Sequence, residues 1–121
     1  MQLRNHNYEK LEFYKRSVVL AVSVLKKTKD LRPYALADQM SRAAISIASN
    51  IAEGSERNSD KEFIRFLNIA SGSCAELRTQ MKIQMLLEPE DGEEWQLMSK
   101  EAGEINAMMW SFKSSLGSNK G

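Results

Sequence analysis

The sequence predicts an all-α fold, an antiparallel up-down-up-down four-helix bundle with a long third helix, and three observations lead there. Apolar residues recur at alternating spacings of three and four through four separate stretches. The breaks between those stretches are short and polar, with Pro33, Gly54 or the Pro89, Asp91 and Gly92 group in each. No β-rich segment and no repeat of 20 to 50 residues competes with this reading. At 121 residues the chain is one domain, 1–121, able to bury roughly two thirds of the surface its unfolded form exposes.

Residues 1–8 are polar and lack periodicity, so disorder is expected there. The first helix is expected to begin at Tyr8 or Glu9. Leu11, Tyr14, Val18, Ala21 and Leu25 form its seam, with Phe13, Val19, Leu20, Val22 and Val24 as surplus apolar surface. That surplus predicts a second covered side, within the domain or against another subunit. Lys26, Lys27 and Lys29 occupy the last turns, where the helix dipole favours cations.

Pro33 separates this helix from a second one, running from Tyr34 or Leu36 to Glu53. One face carries Ala43, Ala44, Ile47, Ala48, Ile51 and Ala52; the other is mostly Ser41, Ser46, Ser49, Asn50 and Glu53. Gly54 is expected to close the helix in the left-handed conformation, before a polar turn over 55–58. Ser59 followed by Glu62 reads as a capping box opening the third helix, 60–87, which spans about 42 Å at 1.5 Å per residue. Phe63, Leu67, Ala70, Cys74, Leu77 and Met81 form its seam. The narrow run 70–73 is expected to receive Ala44, Ala48 and Ala52 against Ala70, Ser73 or Cys74. The fourth helix, 93–116, opens on acidic residues and keeps Trp95, Met98, Ala102, Ile105, Met109, Phe112 and Leu116 in register. Residues 117–121 are expected to be disordered.

The formal charge is +1, unevenly placed. Residues 1–82 carry 14 Lys and Arg against 9 Asp and Glu, and residues 83–121 carry 3 against 7, so the two parts stand at +5 and −4. This is modest beside a dedicated nucleic-acid-binding domain. A single cysteine rules out an internal disulfide and suits a reducing cytoplasm, which is the expected location. The run 18–25 is too short to span a membrane and is followed by Lys26 and Lys27 where a signal peptide needs small residues, so no membrane partner is expected.

The search for catalytic chemistry argues against an enzyme. Di-iron bundles need Glu-x-x-His pairs on two helices, and the one histidine, His6, precedes every predicted helix. The helical ribonucleases of toxin systems need an Arg and a His a few residues apart on a helix; Arg4 and His6 are too close and misplaced. Cys74 sits on a seam with no histidine to act as base and reads as a buried thiol. Glu53, Glu56 and Glu62 read as caps and solvated charges, without the His or Asp set a metal requires. No Gly-rich phosphate loop is present, and Met81, Met85, Met98, Met108 and Met109 fit core filling better than a binding surface. No cofactor, metal or small-molecule substrate is therefore expected.

Basic residues are the remaining candidates. Lys15, Arg16, Lys26 and Lys27 recur eleven residues apart, three helical turns, and fall on two adjacent lines of the first helix. Arg57, Lys61 and Arg65 form another line at spacing four, and Arg42 precedes the alanines of the second helix. Such lines are most often solvated faces with Glu partners. Repeated around an oligomer, their summed field suffices to hold a phosphate backbone.

YALADQMSRAAISIASNIAEG, then SERNSDKEFIRFLNIASGSCAELRTQ, with the opening YEKLEFYKRSVVLA, resembles the four-helix-bundle proteins encoded in intervening sequences of bacterial 23S rRNA genes, often labelled S23 ribosomal proteins. The resemblance covers 8–87; the fourth helix matches only in general pattern. Where the family usually opens its second helix with aromatic-Gly-Leu, this chain has Tyr34, Ala35 and Leu36. Where the family places paired basic residues, it has Ser41 and Arg42. The resemblance implies a ring-like homo-oligomer, a pentamer, and no catalytic residues. It extends distantly to accessory proteins of diversity-generating retroelements, which bind RNA and a reverse transcriptase through basic surfaces. The expectation is a non-enzymatic homo-oligomer binding structured RNA or an RNA-protein complex through Lys15, Arg16, Lys26, Lys27, Arg42, Arg57, Lys61 and Arg65. The alternative is a protein-protein adaptor that does not bind RNA.

Overall fold

The computed structural model describes residues 8 and 11–118. Four helices follow one another: α1 (Glu12–Thr28), α2 (Tyr34–Ser55), α3 (Asp60–Leu87) and α4 (Gly92–Ser118), with one 3₁₀ turn, Pro89–Asp91, before the last. Among the described residues there is no strand. Each helix packs on its sequence neighbours and α1 closes on α4, which is the expected up-down-up-down bundle; α2 with α3 make the most extensive contact and α1 with α4 the least.

The first helix starts later than expected. Leu11 is extended, and its N–H donates to the Tyr8 carbonyl at 3.0 Å, so Tyr8 belongs to a turn whose ring meets the edge of Tyr14 at 4.9 Å. The seam of α1 also lies one step away from the expected one. Phe13, Ser17, Leu20, Ala21, Val24 and Thr28 are buried, whereas Val18 and Leu25 are exposed. Two hydroxyls can occupy the core line because each bonds its own helix: Ser17 donates to the Tyr14 carbonyl at 2.7 Å and Thr28 to the Val24 carbonyl at 2.8 Å. Thr28 further meets Ser41 of α2 at 3.1 Å.

Gly54 does not close α2 in the left-handed conformation; the helix continues to Ser55. A Cβ built on Gly54 would stand 2.7 Å from Phe66 Cβ and 2.9 Å from Phe63 Cδ1, so the missing side chain lets α3 approach. Farther along, Ser46, expected on the outer face of α2, meets Ser73 of α3 through a hydrogen bond at 2.8 Å. Ser59 caps α3 by accepting from the Glu62 N–H at 3.1 Å, while the Glu62 carboxylate turns to Arg65.

The seam of α3 is buried throughout, from Phe63 to Met81. In α4, Trp95, Ala102, Ile105, Met109 and Leu116 enter the core, with Met98 and Phe112 packed at its margin. Phe112 meets both Phe13 and Phe63 with ring centroids 5.3 and 5.5 Å apart. Buried Leu116 anchors the last turn, and α4 runs through Gly117 to Ser118 where a disordered tail was expected. The disorder expected at 1–7 and 119–121 lies outside the described residues. No helix among the described residues is long and apolar enough to cross a membrane.

Candidate nucleic-acid interface

The eight basic residues do not form one surface. The two lines on α1 are separated by the 100° step between consecutive helical residues, and that step decides their environments. Lys15 and Lys26 point outward and are exposed, beside the exposed apolar residues Val18, Val19, Val22 and Leu25. Arg16 and Lys27 face α4, where acidic residues hold both. Arg16 grips Glu101 through Nε and Nη2 at 2.7 and 2.5 Å, reaches Glu104 at 2.6 Å and touches Met108 Sδ at 3.5 Å. The hydrogen bonds to Glu101 and then Glu104 raise the Arg16 pKa still further, and the same Arg16 bonds hold the Glu101 carboxyl below its ordinary range.

Lys27 pairs with Glu94 and, at 3.3 Å, with Asp91, and its ammonium lies 5.1 Å from the Trp95 ring centroid. Partial burial opposes its charge, and the hydrogen bonds it donates to Glu94 and Asp91 outweigh that, leaving its pKa raised. Both cations therefore fasten the first helix to the last.

Antiparallel packing places Lys26 and Arg42 at one end of the bundle, near the α1–α2 connection, and Lys15 at the other. Arg42 is 76% exposed and pairs with Asp38 one turn earlier at 2.9 Å. Arg57, Lys61 and Arg65 do gather, at the α2–α3 turn. The Arg57 and Arg65 guanidinium carbons stand 4.8 and 4.6 Å from the centroid of the same ring, Phe66. Stacking on an aromatic face holds a guanidinium in a fixed orientation while its edge donors stay outward. Each also meets a carboxylate, Arg57 with Glu53 at 2.6 Å and Arg65 with Glu62 at 3.3 Å. Lys61 is exposed, with no ion pair among the described residues.

A second basic region was missed by the sequence reading. An open groove of about 720 Å³ runs between α3 and α4, with Arg78 and Lys82 on one wall and Lys100 on the other. The Arg78 guanidinium lies over Gly103, whose absent side chain would sit 3.3 Å from Cζ and Nη1. Continuing along the same pair of helices, Lys113 donates to Asn68 at 2.6 Å and stands 4.0 Å from the ring centroid of the exposed Trp110. One sequence signal pointed here: Arg78 and Lys82 are a turn apart, and neither has an acidic residue three or four positions away.

Cys74 is buried and its thiol is pushed up to about 12 by that burial, against a smaller opposing pull from Arg78. Among the described residues no cluster of three or more His, Cys, Asp and Glu is arranged to hold a metal ion.

A protein-family model described as 23S rRNA-intervening sequence protein matches residues 9–111. Among solved structures, the chain is similar to a protein of unknown function from the S23 ribosomal protein family of Bacteroides thetaiotaomicron VPI-5482. That similarity has a TM-score of 0.79 and 24% identity, covering 84% of this chain and 97% of that one. It establishes a shared fold. No curated protein matches the sequence.

Proposed function

The chain belongs to the 23S rRNA-intervening sequence protein family, and from that premise we propose a non-enzymatic bundle that assembles with copies of itself and binds structured RNA, alone or in a complex with protein. The observation that carries the reading is the α2–α3 turn, where Arg57 and Arg65 are oriented on Phe66 with Lys61 nearby. The pairs Arg57–Glu53 and Arg65–Glu62 lie at the surface, where such pairs contribute about 0–1 kcal/mol, so a phosphate can displace either carboxylate at little cost. Lys15, Lys26 and Arg42 add cations along the outside of α1 and α2. Arg16 and Lys27 leave the binding set.

Self-assembly draws on the α1 surface. Val18, Val19, Val22 and Leu25 are exposed, Val19 by 65%, and Tyr34 and Ile45 of the adjoining α2 are exposed as well. A closed ring repeats each basic cluster once per copy; five is the number implied by the resemblance noted above. Multiplication converts weak single-copy phosphate contacts into avidity. The high pKa of the Cys74 thiol supports a chain without nucleophilic chemistry.

The test is solution mass by light scattering, followed on the same sample by RNA titrations at two salt concentrations. An oligomer whose RNA affinity falls steeply with salt, and falls again in the triple variant R57E/K61E/R65E, is the expected result; affinity no greater than for a neutral control polymer refutes it. A protein-protein adaptor is the second reading, favoured by Ile83, Leu86 and Leu87, an exposed apolar group at the C-terminal end of α3. Partner capture that survives nuclease treatment and reversal of the three cations supports it.

A further inference from the structure

We propose that the groove between α3 and α4 is the track for a single strand of RNA, an inference that rests on the RNA-binding reading and names the site and the form of nucleic acid. The groove brings Arg78, Lys82 and Lys100 together from two helices, and no acidic residue lines it. None of the three has an ion pair among the described residues. The α2–α3 turn differs in this respect. Two of its three cations, Arg57 and Arg65, are held in direct pairs by Glu53 and Glu62, whereas all three groove cations are without such a pair. A phosphate entering the groove displaces only water, so each contact keeps its full counterion-release gain.

The shape selects the form of nucleic acid. The groove is open along the surface, as a polymer requires, and its cations lie on both walls, close enough to flank one backbone. The α3 side of the groove, from Ala75 to Met85, is about 15 Å long at 1.5 Å per residue, room for a few nucleotides of an extended strand. Trp110 is 57% exposed beside Lys113, and Leu97 is 62% exposed at the other end. The flat Trp110 ring suits an unstacked base, which a duplex keeps inside its stack, and Leu97 adds apolar surface for another. Gly103 has a part in this arrangement: without a side chain, it lets the Arg78 guanidinium lie against α4.

The experiment measures fluorescence anisotropy of a labelled single-stranded RNA of about ten nucleotides and of the matching blunt duplex, at two salt concentrations, with the full chain. Three variants are compared with the parent: R78E/K82E, G103L, which displaces the Arg78 guanidinium from α4 without changing charge, and K29E as a charge control elsewhere. Circular dichroism melts establish that each is folded. The expected result is single strand preferred over duplex, about tenfold weaker binding and a shallower salt dependence in R78E/K82E, about threefold or more weakening in G103L, and no change beyond twofold in K29E. Single-strand binding that survives R78E/K82E and G103L but is lost in R57E/K61E/R65E overturns the groove and leaves the RNA reading standing. Preference for duplex also overturns the groove proposal. Absence of binding to both short probes overturns the groove proposal, and the RNA-binding reading falls with it only if the parent also fails to bind structured RNA in the titrations above.

Discussion

Replacing Gly54 by alanine tests the close approach of α3 to the end of α2. The new Cβ would lie 2.7 Å from Phe66 Cβ and 2.9 Å from Phe63 Cδ1, where carbon pairs normally rest at about 3.5–4.0 Å. Neither neighbour can swing away: Phe66 Cβ is fixed to its backbone, and Phe63 is fully buried. The tip of α2 must therefore part from α3 by about 1 Å, an overpacking at the upper end of the usual cost, about 3 kcal/mol. Alanine recovers about 1 kcal/mol of helix propensity, leaving a net loss of about 2 kcal/mol. For a domain of this size that lowers Tm by about 6–10 °C. Gly72 supplies the control, because a Cβ there meets nothing within 4 Å and the same substitution should raise Tm by about 3–5 °C. Thermal melts followed by circular dichroism read both. G54A melting at or above the parent temperature would refute the close approach, as would equal shifts at the two glycines.

Glu101→Gln should cost about 1–2 kcal/mol at neutral pH, because half-buried Arg16 loses its bidentate charged partner and keeps only Glu104. The pH dependence follows from the lowered Glu101 pKa. The folded protein releases that proton more readily than the unfolded chain, so the stabilisation is complete above the usual carboxylate value near pH 4.3 and is lost as the pH falls through the lower folded value. Urea midpoints of parent and E101Q should converge on acidification below about pH 4; a gap of constant size would count against the Arg16 bridge. Cys74, with its thiol pushed up to about 12, should resist iodoacetamide at pH 8 until denaturant is added, and rapid labelling of the folded protein would contradict its burial. Ser59→Ala removes the hydroxyl that receives the Glu62 N–H and should destabilise by about 1 kcal/mol in the same melts.

Where one residue type answers one physical demand, the fold was legible in the residues. The α3 seam is apolar without interruption, and Ser59 before Glu62 marks its start; both hold. On α1 the true core line includes Ser17 and Thr28, whose hydroxyls are satisfied within their own helix. Counting apolar residues therefore favoured the line through Val18 and Leu25, which is exposed. Gly54 has the same ambiguity. A glycine near a helix end suits either a left-handed cap or a close contact, and the deciding atoms belong to Phe66, across the turn. The basic residues were harder still. Arg16 and Lys15 differ by one position in sequence, yet the carboxylates that claim Arg16 lie on α4, 85 and 88 residues away. Lys100 joins Arg78 and Lys82 only once α3 and α4 pair.

The fastening of α1 to α4 also bears on synthesis. Chains emerge amino end first, and domains tend to fold as they emerge. The first 82 residues leave with five more positive than negative charges, and Arg16 and Lys27 await counter-charges at 91, 94, 101 and 104. The α2–α3 hairpin can assemble meanwhile from contacts close in sequence. Completion falls to α4, whose arrival both covers the open side of α1 and α3 and supplies the charges that Arg16 and Lys27 await.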